Sequence, residues 1–171
     1  RQRQMCIRDR LEVVLDEDNQ AVSVTVRNLN AGGGFGGSSE VTNGTSANTI
    51  TEDTEVDGET YTSTGDDENA LRVDGAAVTL KDITIEKTAG ASSNTEDGDF
   101  YGQNAGLLVL NGATATITGA TVNTSVTNGN GVFSYGEGTV VNISDSTIRT
   151  TENNSGGIQT TGGGTMNTTN L

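Results

Sequence analysis

Apolar and polar residues alternate in a repeated pattern along the second part of the chain. The segments VTLKDITI (78–85), ATITGATV (115–122) and VNISDSTI (141–148) each place apolar or small residues at their first, third, sixth and eighth positions. Alternate side chains of a strand point to one face, so each segment predicts two short strands joined by a corner. An amphipathic helix would need apolar residues at intervals of three and four, which these segments lack.

The pattern returns at a nearly constant interval. Further copies begin in TEVDGETY (54–61) and GTMNTTNL (164–171). One inward position of each copy sets the period, and the equivalent residues are Val56, Leu80, Ile117, Ile143 and Thr168. An insertion at residues 89–100 explains the one long interval, and without it the period is about 25 residues.

Each period also contains a third strand, which asparagine and small residues precede, as in NGNGVFSY (128–135). Three short strands in about 25 residues predict one coil of a right-handed parallel β-helix, an all-β single-stranded solenoid. Each coil has few apolar residues, so the coils must stack to bury a shared core. Asparagine tolerates left-handed backbone angles, and its amide can hydrogen-bond to the coils above and below. We therefore expect four asparagines of successive coils to lie near one corner. These are Asn69, Asn104, Asn130 and Asn154.

Three regions of the chain differ in composition. The opening RQRQMCIRDR resembles a translated sequencing adapter, so residues 1–10 are set aside from the fold. Residues 11–53 contain two strand-like runs around the turn DEDN, which predict a hairpin or part of an earlier coil, followed by a Gly-rich loop. Residues 54–171 form the predicted coils, and the last copy stops in mid-repeat, so we expect a solenoid truncated at both ends.

The charge of the chain limits its partners. The formal net charge is −14, and hydrophobic residues make up 31%. This combination usually indicates disorder, but the periodic spacing of the apolar residues argues against it. Nucleic acids and anionic membranes bind positive patches, so the charge excludes both as partners. No apolar run is long enough for membrane insertion. Sugars, cations and proteins stay open as partners.

Three segments of the sequence are distinctive. They are ETYTSTGDDENALRVDGAAVTL (59–80), NGNGVFSYGEGTVVNISDSTI (128–148) and NSGGIQTTGGGT (154–165). With them, residues 40–171 resemble adhesin-like surface proteins of anaerobic gut bacteria, a group placed in the pectate-lyase-like β-helix superfamily. The resemblance implies a secreted or wall-associated solenoid, located outside the cell or at the bacterial cell surface. It implies no catalytic residue.

The insertion and its neighbours form the predicted ligand site. Aromatic rings are common platforms for sugar rings, and a loop that departs from a regular solenoid often carries binding. The candidate ligand-binding residues are Asp97, Asp99, Phe100, Tyr101 and Tyr135. Tyr135 is expected to point outward beside the insertion, whereas Phe133 is expected in the core. The alternative is that the insertion is a surface bulge without a ligand.

Acidic clusters suggest Ca²⁺, the only cofactor that the sequence indicates. Carboxylates are its usual ligands, and extracellular modules bind it weakly. The candidate ligands are Asp66, Asp67 and Glu68. No cluster matches an EF-hand or a nonapeptide repeat, so solvated loop charge is the alternative interpretation.

Catalysis is the competing function. A polysaccharide lyase needs Ca²⁺ and a basic residue, and Arg72 lies closest in sequence to acidic residues. A glycoside hydrolase needs converging carboxylates, but Asp82 and Asp145 lie two predicted coils apart. We interpret Arg72 as an outward strand residue and the two aspartates as turn residues. The sequence therefore predicts a non-catalytic adhesin-like solenoid that binds a polysaccharide, a surface glycan or a protein. The alternative is part of a lyase or hydrolase with catalytic coils beyond Leu171.

Overall fold

The computed structural model describes residues 9–15, 21–28 and 42–171. The chain divides into two compact units, residues 1–40 and 41–171. In the first unit, β1 (Asp9–Leu15) and β2 (Ala21–Asn28) pair antiparallel, so they are not part of an earlier coil. The predicted turn DEDN, most of the adapter-like opening and much of the Gly-rich loop lie outside the described residues.

The second unit is a parallel β-solenoid of about 5 turns with about 26 residues per turn, as the sequence predicts. One short helix, α1 (Thr95–Tyr101), interrupts the coils. The strands are β3 (Thr45–Ser46), β4 (Thr49–Ile50), β5 (Thr54–Asp57), β6 (Thr60–Ser63), β7 (Glu68–Asn69), β8 (Leu71–Asp74), β9 (Ala77–Lys81), β10 (Thr84–Lys87), β11 (Leu107–Leu110), β12 (Thr114–Thr118), β13 (Thr121–Thr124), β14 (Val132–Tyr135), β15 (Val140–Ser144), β16 (Thr147–Thr150), β17 (Ile158–Thr161) and β18 (Thr165–Thr169).

Three sheets run along the solenoid. Sheet 1 has the order β4-β8-β11-β14-β17, sheet 2 the order β5-β9-β12-β15-β18, and sheet 3 the order β6-β10-β13-β16. A short bridge joins β3 to β7. Coil pairing thus begins at Thr45, before the predicted boundary at residue 54. The sequence does not indicate β3 and β4, because they are two residues long and mostly polar. Too few apolar positions mark them in the sequence.

The predicted register of sheet 2 is confirmed position by position. Val56 pairs with Leu80, Leu80 with Ile117, Ile117 with Ile143, and Ile143 with Thr168. Leu80, Ile117 and Ile143 are all buried in the main core. Because each coil adds one side chain to this column, the hydrophobic surface of a coil is covered by the coils on either side.

The corner between sheets 2 and 3 has left-handed backbone in every coil. The residues there are Gly58, Asp82, Gly119, Asp145 and Asn170, with φ between 48° and 74°. Only glycine, asparagine and aspartate adopt these angles readily, which explains their recurrence at this position. A Cβ on Gly119 would lie 2.1 Å from Oδ1 of Asp82, so that carboxylate would have to move.

The four predicted corner asparagines occupy two different registers. Asn104 and Asn154 have positive φ, as expected of the turn itself. Asn69 and Asn130 instead stand two residues before strands of sheet 1, and Asn130 Oδ1 accepts a hydrogen bond from the Gly156 N–H at 2.8 Å. Asn104 also bonds to the next coil, because its Nδ2 donates to the Thr127 carbonyl at 2.9 Å, so both reasons for asparagine apply at this residue.

Candidate functional site

The insertion folds into the helix α1, where the sequence predicts only a loop. Asn94 caps it by accepting hydrogen bonds from the N–H groups of Glu96 at 2.9 Å and Asp97 at 3.4 Å. Gly102 ends it with φ of 72° and donates its N–H to the carbonyl of Asp97. The sequence contains both signals, an asparagine cap before acidic residues and a glycine after the last turn. A helix of 7 residues is too short to show an apolar period.

Side chains from the coils hold the C-terminal end of α1 on sheet 1. Helix ends leave their last carbonyls without partners, and here the solenoid supplies the donors. The bonds are Asn43 Nδ2 to Tyr101 O at 2.5 Å, Asn69 Nδ2 to Gly102 O at 2.9 Å, Asn130 Nδ2 to Gly98 O at 3.3 Å, Gln159 Nε2 to Asp99 O at 2.7 Å and Thr161 Oγ1 to Phe100 O at 2.5 Å. Since the donors range from residue 43 to residue 161, the helix is bonded to coils at both ends of the solenoid.

A second apolar cluster lies on the outer face of sheet 1. It consists of Ala105, Leu108, Leu110 and Phe133, with Tyr135 packed against it. Gly102 sits directly over it, since a Cβ there would lie 2.6 Å from Cδ1 of Leu108 and 3.0 Å from Cγ of Phe133. Phe133 is buried, as expected for a core residue, but it belongs to this outer cluster and not to the main core. The sequence could not show this, because the outer face is covered only after the insertion folds back over it.

The structure brings two of the predicted aromatic residues, Tyr101 and Tyr135, into contact. The ring centroids of Tyr101 and Tyr135 are 5.6 Å apart with perpendicular planes, which confirms that Tyr135 lies beside the insertion. Phe100, next to Tyr101, is 57% exposed. We call Phe100, Tyr101 and Tyr135 the aromatic surface. Their contact with a ligand stays a prediction.

The two aspartates predicted at this site differ in their surroundings. Asp99 Oδ1 accepts a hydrogen bond from Asn128 Nδ2 at 2.8 Å, so this carboxylate helps to attach α1 to the coil beneath. Asp97 is half-buried, and its carbonyl accepts the N–H of Gln103 at 3.2 Å. Contact of Asp97 or Asp99 with a ligand stays a prediction.

The carboxylates of Asp66, Asp67 and Glu68 each bond to a different part of the chain. Asp66 accepts the N–H of Ala91 at 2.7 Å, Asp67 that of Ser93 at 2.7 Å, and Glu68 the hydroxyl of Ser63 at 2.7 Å. Within residues 42–171 and the two strands of the first unit, no group of three or more His, Cys, Asp or Glu side chains could hold a metal ion. Asp66 and Asp67 therefore anchor the start of the insertion, while Glu68 bonds to Ser63 at the end of β6. The geometry adds no support to the predicted Ca²⁺ site.

A buried lysine lies beside this cluster. Lys87 is in register with Ser63 and Thr124 on sheet 3, and its ammonium donates to Ser63 Oγ at 3.2 Å and to the carbonyl of Gly65 at 2.6 Å. Burial lowers the pKa of Lys87, and the charges of Glu68, Asp66 and Asp67 oppose the shift. The sequence contains a signal for it, because Lys87 follows Ile85 by two residues and so continues the inward alternation.

Arg72 is held by the first coil. Its Nη2 donates to the carbonyls of Asn43, Gly44 and Thr45 at 2.9, 3.0 and 3.1 Å, and to Asn69 Oδ1 at 2.8 Å. Burial lowers the pKa of its guanidinium and Asp74 opposes the shift, but such a group stays protonated in proteins. These contacts make Arg72 a structural link between coils. They do not suit a catalytic base.

Comparison with known proteins finds no match to a family model, to a curated protein or to a solved structure. A search of the described residues for a helix long and apolar enough to cross a membrane finds none.

Replacing Gly98 with alanine tests the attachment of α1. A Cβ at this buried residue would lie 2.5 Å from the Cβ and Cγ of Asn128. Glycine to alanine usually stabilises a helix, but overpacking should here lower the free energy of unfolding by ~1–3 kcal/mol. Urea unfolding measures the loss, and the near-ultraviolet circular dichroism of Tyr101 and Tyr135 should weaken. Thr95→Ala, at an exposed position of the same helix, is the control, and a stabilised Gly98→Ala protein would contradict the packing.

The pH dependence of stability tests the environment of Lys87. Between its lowered pKa and the ordinary value of 10.5, the unfolded chain binds more protons than the folded chain. The free energy of unfolding should therefore increase as the pH rises from the lowered pKa of Lys87 toward 10.5. Burial, reinforced by the charge of Glu59, raises the pKa of Tyr61 from 10.0, so the ionisation of this tyrosine lowers the stability above pH 10. The urea titrations should therefore be made below pH 10. Lys87→Met should lack the rise, and equal slopes for both proteins would rule out the burial of a charged lysine.

Proposed function

We propose that this chain is part of an adhesin-like β-solenoid at the bacterial cell surface, and that it binds a surface glycan through the aromatic surface without catalysis. The observation that carries the proposal is the exposed ring of Phe100 on a helix that is fixed to the solenoid. Phe100 is one of three large hydrophobic residues of the described chain that are exposed, and the other two, Ile158 and Leu171, lie in the last coil.

The chemistry of the aromatic surface fits a sugar ring. A pyranose has an apolar face of C–H groups and a rim of hydroxyls, so it suits an aromatic plane beside hydrogen-bonding groups. Phe100 would supply the plane, while the hydroxyls of Tyr101 and Tyr135 and the carboxylate of Asp97 would supply the hydrogen bonds. Rigid aromatic residues lose little side-chain entropy on binding, which favours affinity.

The fixed position of α1 also supports binding. The carbonyls of Asp99 and Phe100 are bonded to Gln159 and Thr161 of sheet 1, so the backbone that carries the ring is anchored before a ligand arrives. A site that is already ordered avoids part of the entropy cost of binding. An insertion that is held in place in this way is what the proposal requires.

The electrostatics of the chain indicate the class of glycan. A net charge of −14 repels polyuronates and other anionic polymers, which favours neutral or basic sugars. Arg72, the candidate base of a lyase, donates its hydrogen bonds to carbonyls of the first coil. The sequence resemblance to adhesin-like proteins supports a surface location. It also fits a partner protein that bears the glycan.

A glycan array on the 171-residue chain tests the proposal, with ring and non-ring substitutions at Phe100. The chain should retain at least one class of glycan, and Phe100→Ala should weaken its binding by about tenfold, or ~1.4 kcal/mol. Phe100→Tyr should bind like the unchanged protein, since it keeps the ring. Phe100→Leu keeps apolar area without the ring and should bind like the alanine variant.

Two outcomes would overturn the proposal. If no glycan is retained, or if Phe100→Leu binds as well as Phe100→Tyr, stacking on the aromatic surface is not the basis of recognition. Release of unsaturated products from polygalacturonate, lost in Arg72→Ala, would instead establish a lyase.

A further inference from the structure

A shallow cavity of about 250 Å³ lies on the outer face of sheet 2, away from α1. It crosses three neighbouring strands, β12, β15 and β18. The outward side chains that line it are Thr116, Asn142, Ser144, Asn167 and Thr169.

The outward lining residues belong to two columns that run along the solenoid, and from β12 to β18 all members of these columns except Thr118 line the cavity. Thr116, Asn142 and Asn167 are paired in register, and Thr118, Ser144 and Thr169 form the second column. Successive strands lie about 4.8 Å apart, so hydroxyl and amide groups recur at that interval along the cavity. A ligand that extends along the solenoid axis would meet similar groups at each coil.

Two side-chain amides in the cavity keep polar atoms that can bond to a ligand. Asn167 Nδ2 donates to Asn142 Oδ1 at 2.8 Å, a bond that orients both amides. It uses one N–H of Asn167 and one lone pair of Asn142, so the Nδ2 of Asn142 and the Oδ1 of Asn167 can bond to a ligand. The site thus offers both a donor and an acceptor, which is what a hydroxyl group needs from its surroundings.

Charge changes along this face of the solenoid. The two columns begin with Glu55 and Asp57 on β5, and continue with Thr79 and Lys81 on β9. From β12 to β18 the columns contain no charged residue, and none of the residues that line the cavity is charged. An anionic ligand would find no cationic partner in the lining, so the groups present favour an uncharged one.

We infer that this cavity, with the amides of Asn142 and Asn167 at its centre, binds an uncharged polyhydroxylated chain, that is, a neutral polysaccharide lying along the solenoid axis. The site is separate from the aromatic surface, since it is built on sheet 2 and α1 is held on sheet 1. It does not depend on stacking at Phe100.

Native affinity electrophoresis of the 171-residue chain tests the site. Gels would contain a soluble β-glucan, galactomannan or xylan, with polygalacturonate as the anionic comparison. At least one neutral polymer should retard the Phe100→Ala protein, in which the aromatic surface is disabled. Adding Asn142→Ala and Asn167→Ala together to that protein should weaken the retardation at least tenfold, as should Thr116→Ala with Thr169→Ala. Asn123→Ala, an asparagine on the outer face of sheet 3, is the matched control and should leave the retardation unchanged.

The inference is wrong if no neutral polymer retards the Phe100→Ala protein, or if the asparagine pair and the threonine pair both leave the retardation unchanged. Stronger retardation by polygalacturonate than by the neutral polymers would also overturn it. Loss of binding on Phe100→Ala alone would support the aromatic surface and reject the sheet 2 site. Binding that survives Phe100→Ala and falls with the asparagine pair would support the sheet 2 site. The aromatic surface is decided by the glycan array on the Phe100 variants, so the two proposals fail separately.

Discussion

Parallel stacking of coils in one register is the interaction on which the structure depends. A coil of about 26 residues has too few apolar side chains to enclose a core, and Leu80, Ile117 and Ile143 are buried because neighbouring coils cover them. A shift of one residue in any coil would turn its inward side chains to solvent. Left-handed corner residues such as Asp82 and Asp145 oppose such a shift of register, since each fixes where one strand ends and the next begins.

The same stacking creates the places where a ligand could bind. On sheet 1, outward Leu108 and Phe133 provide an apolar floor for α1, and amide side chains from several coils bond to the end of the helix. On sheet 2, no insertion within residues 42–171 covers the outer face, and the stacked Asn142 and Asn167 line an open cavity. One repetitive scaffold therefore carries two surfaces of different chemistry, one aromatic and one amide-rich.

The sequence could predict those features that are strictly periodic. The column from Val56 to Thr168 follows from alternation within a strand and a constant interval between strands. Features that depend on the insertion folding back could not be predicted in this way. The burial of Phe133 on an outer face needs α1 above it, and the bonds of Asp66 and Asp67 need the path of the chain at residues 91–93. Lys87 was missed because a charged residue at an inward position opposes the usual preference for apolar side chains.

Cysteine cross-linking between coils tests the stacking order most directly. Thr84, Thr121 and Thr147 are paired in consecutive strands of sheet 3, at a spacing of about 4.8 Å that permits a disulfide between adjacent strands only. In a protein with Cys6→Ser, oxidation should link Thr121→Cys to Thr84→Cys, and in a second variant Thr121→Cys to Thr147→Cys. Thr84→Cys and Thr147→Cys should stay reduced together. A disulfide between that outer pair in the folded monomer, with both adjacent pairs unlinked, would contradict the stacked solenoid.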